Sequence, residues 1–179
     1  MKIISAFLCA IASLGGAAVQ AQPSLVIVVR HAERAPEPKA DPALSAEGVQ
    51  RAQALADHLA GANVTSIITT ELRRTQETAL PTARKFGIEP KVVATRRDAV
   101  AAHIDEVVAA VRRLTGVVLV VGHSNTVAGI VAGISDARPV EICETSFSNV
   151  FVVDPQPAGS AVLQFKYGRA DPAPSAGCQ

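Results

Sequence analysis

Leu25-Val26-Ile27-Val28-Val29-Arg30-His31-Ala32-Glu33-Arg34 is the stretch whose reading decides the fold. An unbroken, mostly β-branched aliphatic run is what a strand covered on both faces requires, as in the parallel sheets of α/β proteins. This one ends abruptly in an arginine and a histidine. A second run, Val117-Val118-Leu119-Val120-Val121, ends in Gly122-His123-Ser124-Asn125, and Thr70-Glu71-Leu72-Arg73-Arg74-Thr75-Gln76-Glu77-Thr78 lies between the two. Open α/β sheets place their ligands at the carboxyl ends of such strands, so two histidines and several arginines converge on one crevice.

The intervening sequence supplies the helices. Three prolines in Ala35–Pro42 forbid helix and suit an extended excursion over the site. Ser45 then caps a helix of about 16 residues, with Val49, Ala52, Ala56 and Leu59 on its apolar stripe, Gln53, Asp57 and His58 opposite, and Gly61 at its end. A strand from Thr65 to Thr70 delivers Arg73 and Arg74 at the start of a second helix, which Pro81 kinks and Gly87 stops. A third strand, Lys91 to Thr95, leads through Arg96, Arg97 and Asp98 to a helix striped by Ile104, Val107, Val108, Val111 and Leu114. His58 and His103 read as exposed. A small-residue helix from Thr126 to Ile134 follows the second histidine strand, and Asn149–Val153 pairs with Ala161–Lys166 as a hairpin. The expected architecture is a three-layer α/β/α sandwich around a mostly parallel central sheet.

With 179 residues, 49% of them hydrophobic and 18% charged, the chain has material for one core and not for two domains. Met1-Lys2, an apolar stretch from Ile3 to Val19, and the small residues of Val19-Gln20-Ala21 read as a signal peptide spanning residues 1–21. Gly15-Gly16 interrupts that stretch, which argues against a membrane anchor. The expected protein is therefore exported, periplasmic or secreted, without stable membrane insertion after cleavage. Residues 22–169 form the domain, and 170–179, with Pro172, Pro174 and Gly177, a flexible tail. Cleavage removes one cation, Lys2, and leaves equal numbers of cations and anions, so no global basic field exists to hold nucleic acid. Cys143 and Cys178 survive cleavage as an even pair; whether they close a disulfide stays open.

A phosphoryl group in flight spreads charge over three equatorial oxygens, and a site for it needs several preorganised cations. Arg30 and Arg74 supply forked donors that match two phosphate oxygens and stay charged. Histidine serves as nucleophile when one ring nitrogen is unprotonated and an acceptor holds the other, and His31 is rigidly placed for that role.

Arg30-His31-Ala32-Glu33, the block Leu72–Ala79 and Val121–Asn125 resemble the three signature blocks of the histidine phosphatase superfamily, in the branch that includes phosphoglycerate mutases and many small phosphatases. Leu44-Ser45-Ala46-Glu47-Gly48 is similar to the family's opening of its first helix. The resemblance spans about residues 24–154 and implies a phosphoglycerate mutase-like fold. It makes His31 the phosphorylated nucleophile, Arg30 and Arg74 the holders of the phosphoryl oxygens, and His123 a further donor. Arg73 is the rival to Arg74, but the family's arginine directly precedes the position held here by Thr75. No metal and no cofactor is implied. Arg34 and Asn125 join as substrate-binding residues, with Arg96 and Arg97 at the rim.

The general acid is the gap in this pattern. Asp98, after the third strand, is the first choice, though it also suits an N-cap. Glu33, beside the nucleophile, is the second. If neither serves, leaving groups that need no proton, such as acyl phosphates or phosphorylated imidazoles, are favoured. The reading that follows is a metal-independent phosphatase acting on phosphomonoesters through a phosphohistidine. Its substrate would be a small molecule or, by analogy with exported relatives, an envelope sugar phosphate. A binding module on the same scaffold and a phosphatase specific for phosphohistidine or acyl phosphates remain alternatives. A mutase fits less well in so short an exported chain, and a zinc site of His31, Glu33 and His123 is disfavoured by the neighbouring arginines.

Overall fold

Strand β1 (Pro23–Arg30) lies inside a six-stranded sheet of order β3-β2-β4-β1-β5-β6, with β2 at Val64–Thr69, β3 at Lys91–Val92, β4 at Gly116–Gly122, β5 at Asn149–Val153 and β6 at Val162–Lys166. The computed structural model describes residues 22–96, 98–135, 137, 142–155 and 161–173. The expected signal peptide, residues 1–21, and Arg97 and Cys178 thus lie outside the described residues. Strands β1, β2, β3 and β4 run parallel, β5 is antiparallel to β1, and β6 closes the hairpin against β5.

The alternation of side chains across the sheet builds two cores. Val26, Val28, Val118, Val120 and Phe151 face α3 (Val100–Val111) and α4 (Ser124–Ser135). Ile27, Val29, Leu119, Val121 and Val150 face α1 (Ala46–His58) and α2 (Arg73–Phe86). Helices on both faces of a largely parallel sheet make the expected three-layer sandwich.

Several local expectations need correction. Helix α1 ends a turn early, at His58, because Ala60 N–H reaches back to Asp57 and Ala62 N–H to Leu59. Val49, assigned to its apolar stripe, is 57% exposed; Leu55 is the fully buried residue there. Helix α2 contains Pro81 and ends, as expected, at Gly87, whose φ of 66° is the left-handed cap that glycine adopts without penalty. Strand β3 stops at Val92 because the Glu71 carboxylate takes Thr95, at 2.7 Å from its N–H and 2.5 Å from its hydroxyl. The expected tail begins too early at Ala170: the Asp171 carboxylate accepts the Phe147 and Ser148 N–H groups and the Ser148 hydroxyl.

Ser45 caps α1 by accepting the Gly48 N–H at 3.2 Å, and its own N–H goes to the Glu33 carbonyl at 2.9 Å. A methyl group on Gly48 would run into that same carbonyl oxygen. Since backbone atoms meet there, Gly48→Ala is expected to cost about 2–3 kcal/mol and lower the thermal midpoint by roughly 5–10 °C. Gly61→Ala, which meets open space, should leave it nearly unchanged in the same melting experiment.

Candidate active site

The parallel register of β1 and β4 pairs Arg30 with Gly122, and His31 N–H donates to the Gly122 carbonyl at 2.9 Å. His31 and His123 therefore leave the sheet side by side, with ring centroids 5.4 Å apart in an edge-to-face arrangement. Both are buried, as is Arg30.

His31 Nδ1–H donates to the Ala32 carbonyl at 2.8 Å. A carbonyl only accepts, so the proton sits on Nδ1, and Nε2 keeps its lone pair. Burial pushes the imidazole pKa down to about 2, against the opposing Ala32 hydrogen bond and with help from Arg30. A neutral, oriented imidazole is the form a nucleophile needs.

Arg30 is fixed before any substrate arrives. Its Nη1 donates to the carbonyls of Cys143 at 3.0 Å and Glu144 at 2.6 Å, its Nη2 to the Glu144 carboxylate at 2.8 Å, and its plane stacks 4.2 Å from the Phe147 ring centroid. Burial disfavours its charge, and the Glu144 carboxylate offsets that effect. Cys143, the residue before Glu144, is disulfide-bonded, which anchors this segment.

The arginine block earns its threonines. Thr78 Oγ1 accepts the Ala32 N–H at 2.9 Å and donates to the Arg74 carbonyl at 2.6 Å, tying the start of α2 to the turn after His31. Thr75 caps the same turn by accepting the Thr70 N–H at 3.1 Å. Arg74 Nη2 approaches His123 Nδ1 at 3.5 Å, and His123 Nε2 lies 3.2 Å from Thr70 Oγ1. Burial and Arg74 together lower the His123 pKa to about 4. A dianion lodged against Arg74 would reverse that field and favour the imidazolium, which donates from both nitrogens.

These groups open into a cleft of about 520 Å³, whose rim carries Arg34, Lys39, Arg96 and Asn125. Arg96 is also paired with Glu106 at 2.5 Å. Lys39 and Pro42 of the proline loop line it, as that loop's sequence leads one to expect. Arg73 points elsewhere, to Glu77 at 3.0 Å.

Neither expected acid stands in the cleft. Asp98 is exposed and does not line it, nor does it cap α3, whose N-cap is Ala99. Glu33 lies under α1, held by Arg51 at 2.7–3.0 Å. His103, read as exposed, is 2% exposed: it falls on the buried stripe of α3 with Val107 and Val111, and its Nδ1 donates to the Ala94 carbonyl. The four- and eight-residue spacing was the available signal. Glu144 and Phe147 were missed outright, for they sit in a loop without periodicity.

Two imidazoles and two guanidinium groups thus stand together at the ends of neighbouring parallel strands of an α/β sandwich, an arrangement able to hold a tetrahedral oxyanion against a histidine. The chain matches, over residues 26–99, the family model described as histidine phosphatase superfamily (branch 1). Its fold is similar to that of the protein histidine phosphatase SixA complexed with tungstate, at 18% identity and a TM-score of 0.62, over 79% of this chain and 96% of that one. A putative phosphohistidine phosphatase SixA from Nakamurella multipartitia is 24% identical, with a TM-score of 0.57 over 81% and 96% of the two chains. A mycobacterial glucosyl-3-phosphoglycerate phosphatase is 14% identical, with a TM-score of 0.56 over 81% and 99%. No curated protein matches the sequence. The matched segment, together with the fold, supports a phosphatase.

Buried neutral histidines leave a titration signature. Below the ordinary value of 6.5 the unfolded chain takes up a proton that folded His31 refuses down to about 2 and folded His123 down to about 4. Both groups therefore subtract stability as pH falls from 6.5, by up to about 1.4 kcal/mol per pH unit each. Ring-proton NMR of the protein alone should show His123 charging near 4 and His31 still neutral there. A His31 midpoint near 6.5 would contradict the burial argument.

Proposed function

We propose that this protein is a metal-independent phosphatase that hydrolyses phosphomonoesters through a phosphohistidine on His31. The observation that carries this reading is the His31 ring itself: neutral, with Nδ1 held by Ala32 and Nε2 unprotonated, beside His123 and between Arg30 and Arg74. Nε2 attacks phosphorus while Arg30, Arg74 and a protonated His123 bear the charge growing on the equatorial oxygens. Water then displaces the histidine and releases inorganic phosphate. The charge stabilisation comes from arginines, so this route asks for no metal. Among the described residues no three His, Cys, Asp or Glu side chains stand together as a metal-binding group.

The rim supports an anionic substrate. Arg34, Lys39 and Arg96 gather around one opening in a chain that is otherwise nearly neutral. An open cleft with a basic rim fits a phosphorylated sugar, and the leader-like residues 1–21 support work outside the cytoplasm on an envelope sugar phosphate. Among the described residues no helix is long and apolar enough to cross a membrane. A narrower reading, turnover of phosphohistidine alone, draws support from Asp98 and Glu33 both lying off the cleft.

The test is chemical. Wild-type protein should hydrolyse an aryl phosphate, and quenched enzyme should carry acid-labile, base-stable phosphate. His31→Ala should lose both, with kcat reduced by at least about 10³-fold, the scale on which a covalent nucleophile contributes. Phosphate binding without turnover by the wild type would favour a binding module, and activity retained in His31→Ala would overturn the mechanism.

A further inference from the structure

We infer that Glu144 is the catalytic proton donor to the leaving oxygen. This rests on the phosphohistidine reading above and supplies the group that reading lacks. Among the described residues lining the cleft, Glu144 is the one carboxylate. The alternatives are committed elsewhere: Glu33 to Arg51, Glu71 to Thr95, and Glu77 to the Leu44 N–H and Arg73.

Position and anchoring fit the role. The reacting histidine is on the floor of the cleft at 4% exposed, whereas the Glu144 side chain is 76% exposed at the mouth. Both touch the same small volume, because Glu144 Oε2 meets Arg30 Nη2 at 2.8 Å. In-line displacement puts nucleophile and leaving oxygen at opposite apices of phosphorus. With His31 below, the leaving oxygen points outward, toward Glu144. The Glu144 carbonyl on Arg30 Nη1 holds its backbone, and Arg30 Nη2 and Ser124 Oγ donate to the two carboxyl oxygens.

The steps balance. The His31 Nε2 lone pair forms the N–P bond, the P–O bond breaks, and its electron pair stays on the leaving oxygen, which takes the Glu144 proton and departs as an alcohol. The Glu144 carboxylate then accepts a proton from the attacking water as its oxygen bonds to phosphorus and the N–P pair returns to Nε2.

A donor is needed in proportion to the basicity of the leaving group, which gives the test. Glu144→Gln keeps the size and the acceptor oxygen but carries no transferable proton. Its kcat/KM for glycerol phosphate, whose leaving alcohol is very basic, should fall about 10²–10³-fold, while that for p-nitrophenyl phosphate stays within about 5-fold. Glu144→Asp should recover part of the glycerol phosphate activity. In an active wild-type background, an equal loss on both esters, a gain on both, or no loss on glycerol phosphate overturns the proposal alone. A wild type that hydrolyses neither ester, or a His31→Ala variant that hydrolyses both, removes the phosphohistidine reading and the proposal with it.

Discussion

The parallel pairing of β1 with β4 is the constraint on which the site depends. Register places Arg30 against Gly122, and the bond from His31 N–H to the Gly122 carbonyl carries the ladder one residue past the strand. Slipping either strand by one residue would send every side chain to the opposite face and take the two imidazoles apart. The aliphatic runs that precede the histidines are therefore part of the chemistry. They are buried on both faces, and only one register satisfies both cores.

A second frame holds the site from the carboxyl-terminal side. Arg51 on α1 grips Glu33 with three donor contacts and reaches the Tyr167 carbonyl at 3.1 Å. Asp171, 4.0 Å from Arg51, holds the backbone of Phe147 and Ser148, and Phe147 stacks on Arg30 and faces His31. A nearly buried arginine on the outer helix layer thus connects the turn after His31 with the loop that encloses it. Such a paired, hydrogen-bonded ion in the interior specifies geometry at least as much as it stabilises.

How legible this was depended on the range of the interactions. The strands, the sandwich and the convergence of Arg30, His31, Arg74 and His123 follow from local signals, namely aliphatic runs and what terminates them. The helix stripes were legible where apolar spacing is unambiguous, as for Val107, Val108 and Val111. They misled where a polar residue sits on the buried stripe, as His103 does, or where an apolar one lies off it, as Val49 does. The shortening of β3 arises from Glu71, twenty-four residues away from Thr95, and no window around Lys91–Thr95 contains it. Glu144 and Asp171 are beyond reach for the same reason: their partners Arg30 and Ser148 are distant in sequence, and neither lies in a periodic segment.

The arrangement of Arg30 shows how so deep a burial of a guanidinium is tolerated. Burying a guanidinium alone is costly, and its Nε here finds no partner. Main-chain carbonyls on Nη1 carry part of the balance as fixed dipoles, and the exposed Glu144 carboxylate supplies the countercharge. The carbonyls are fixed main-chain dipoles, and the carboxylate, 76% exposed at the mouth, holds one oxygen on Nη2 and the other on Ser124. The cation is thus oriented by the fold itself, with its plane held before any anion reaches the cleft.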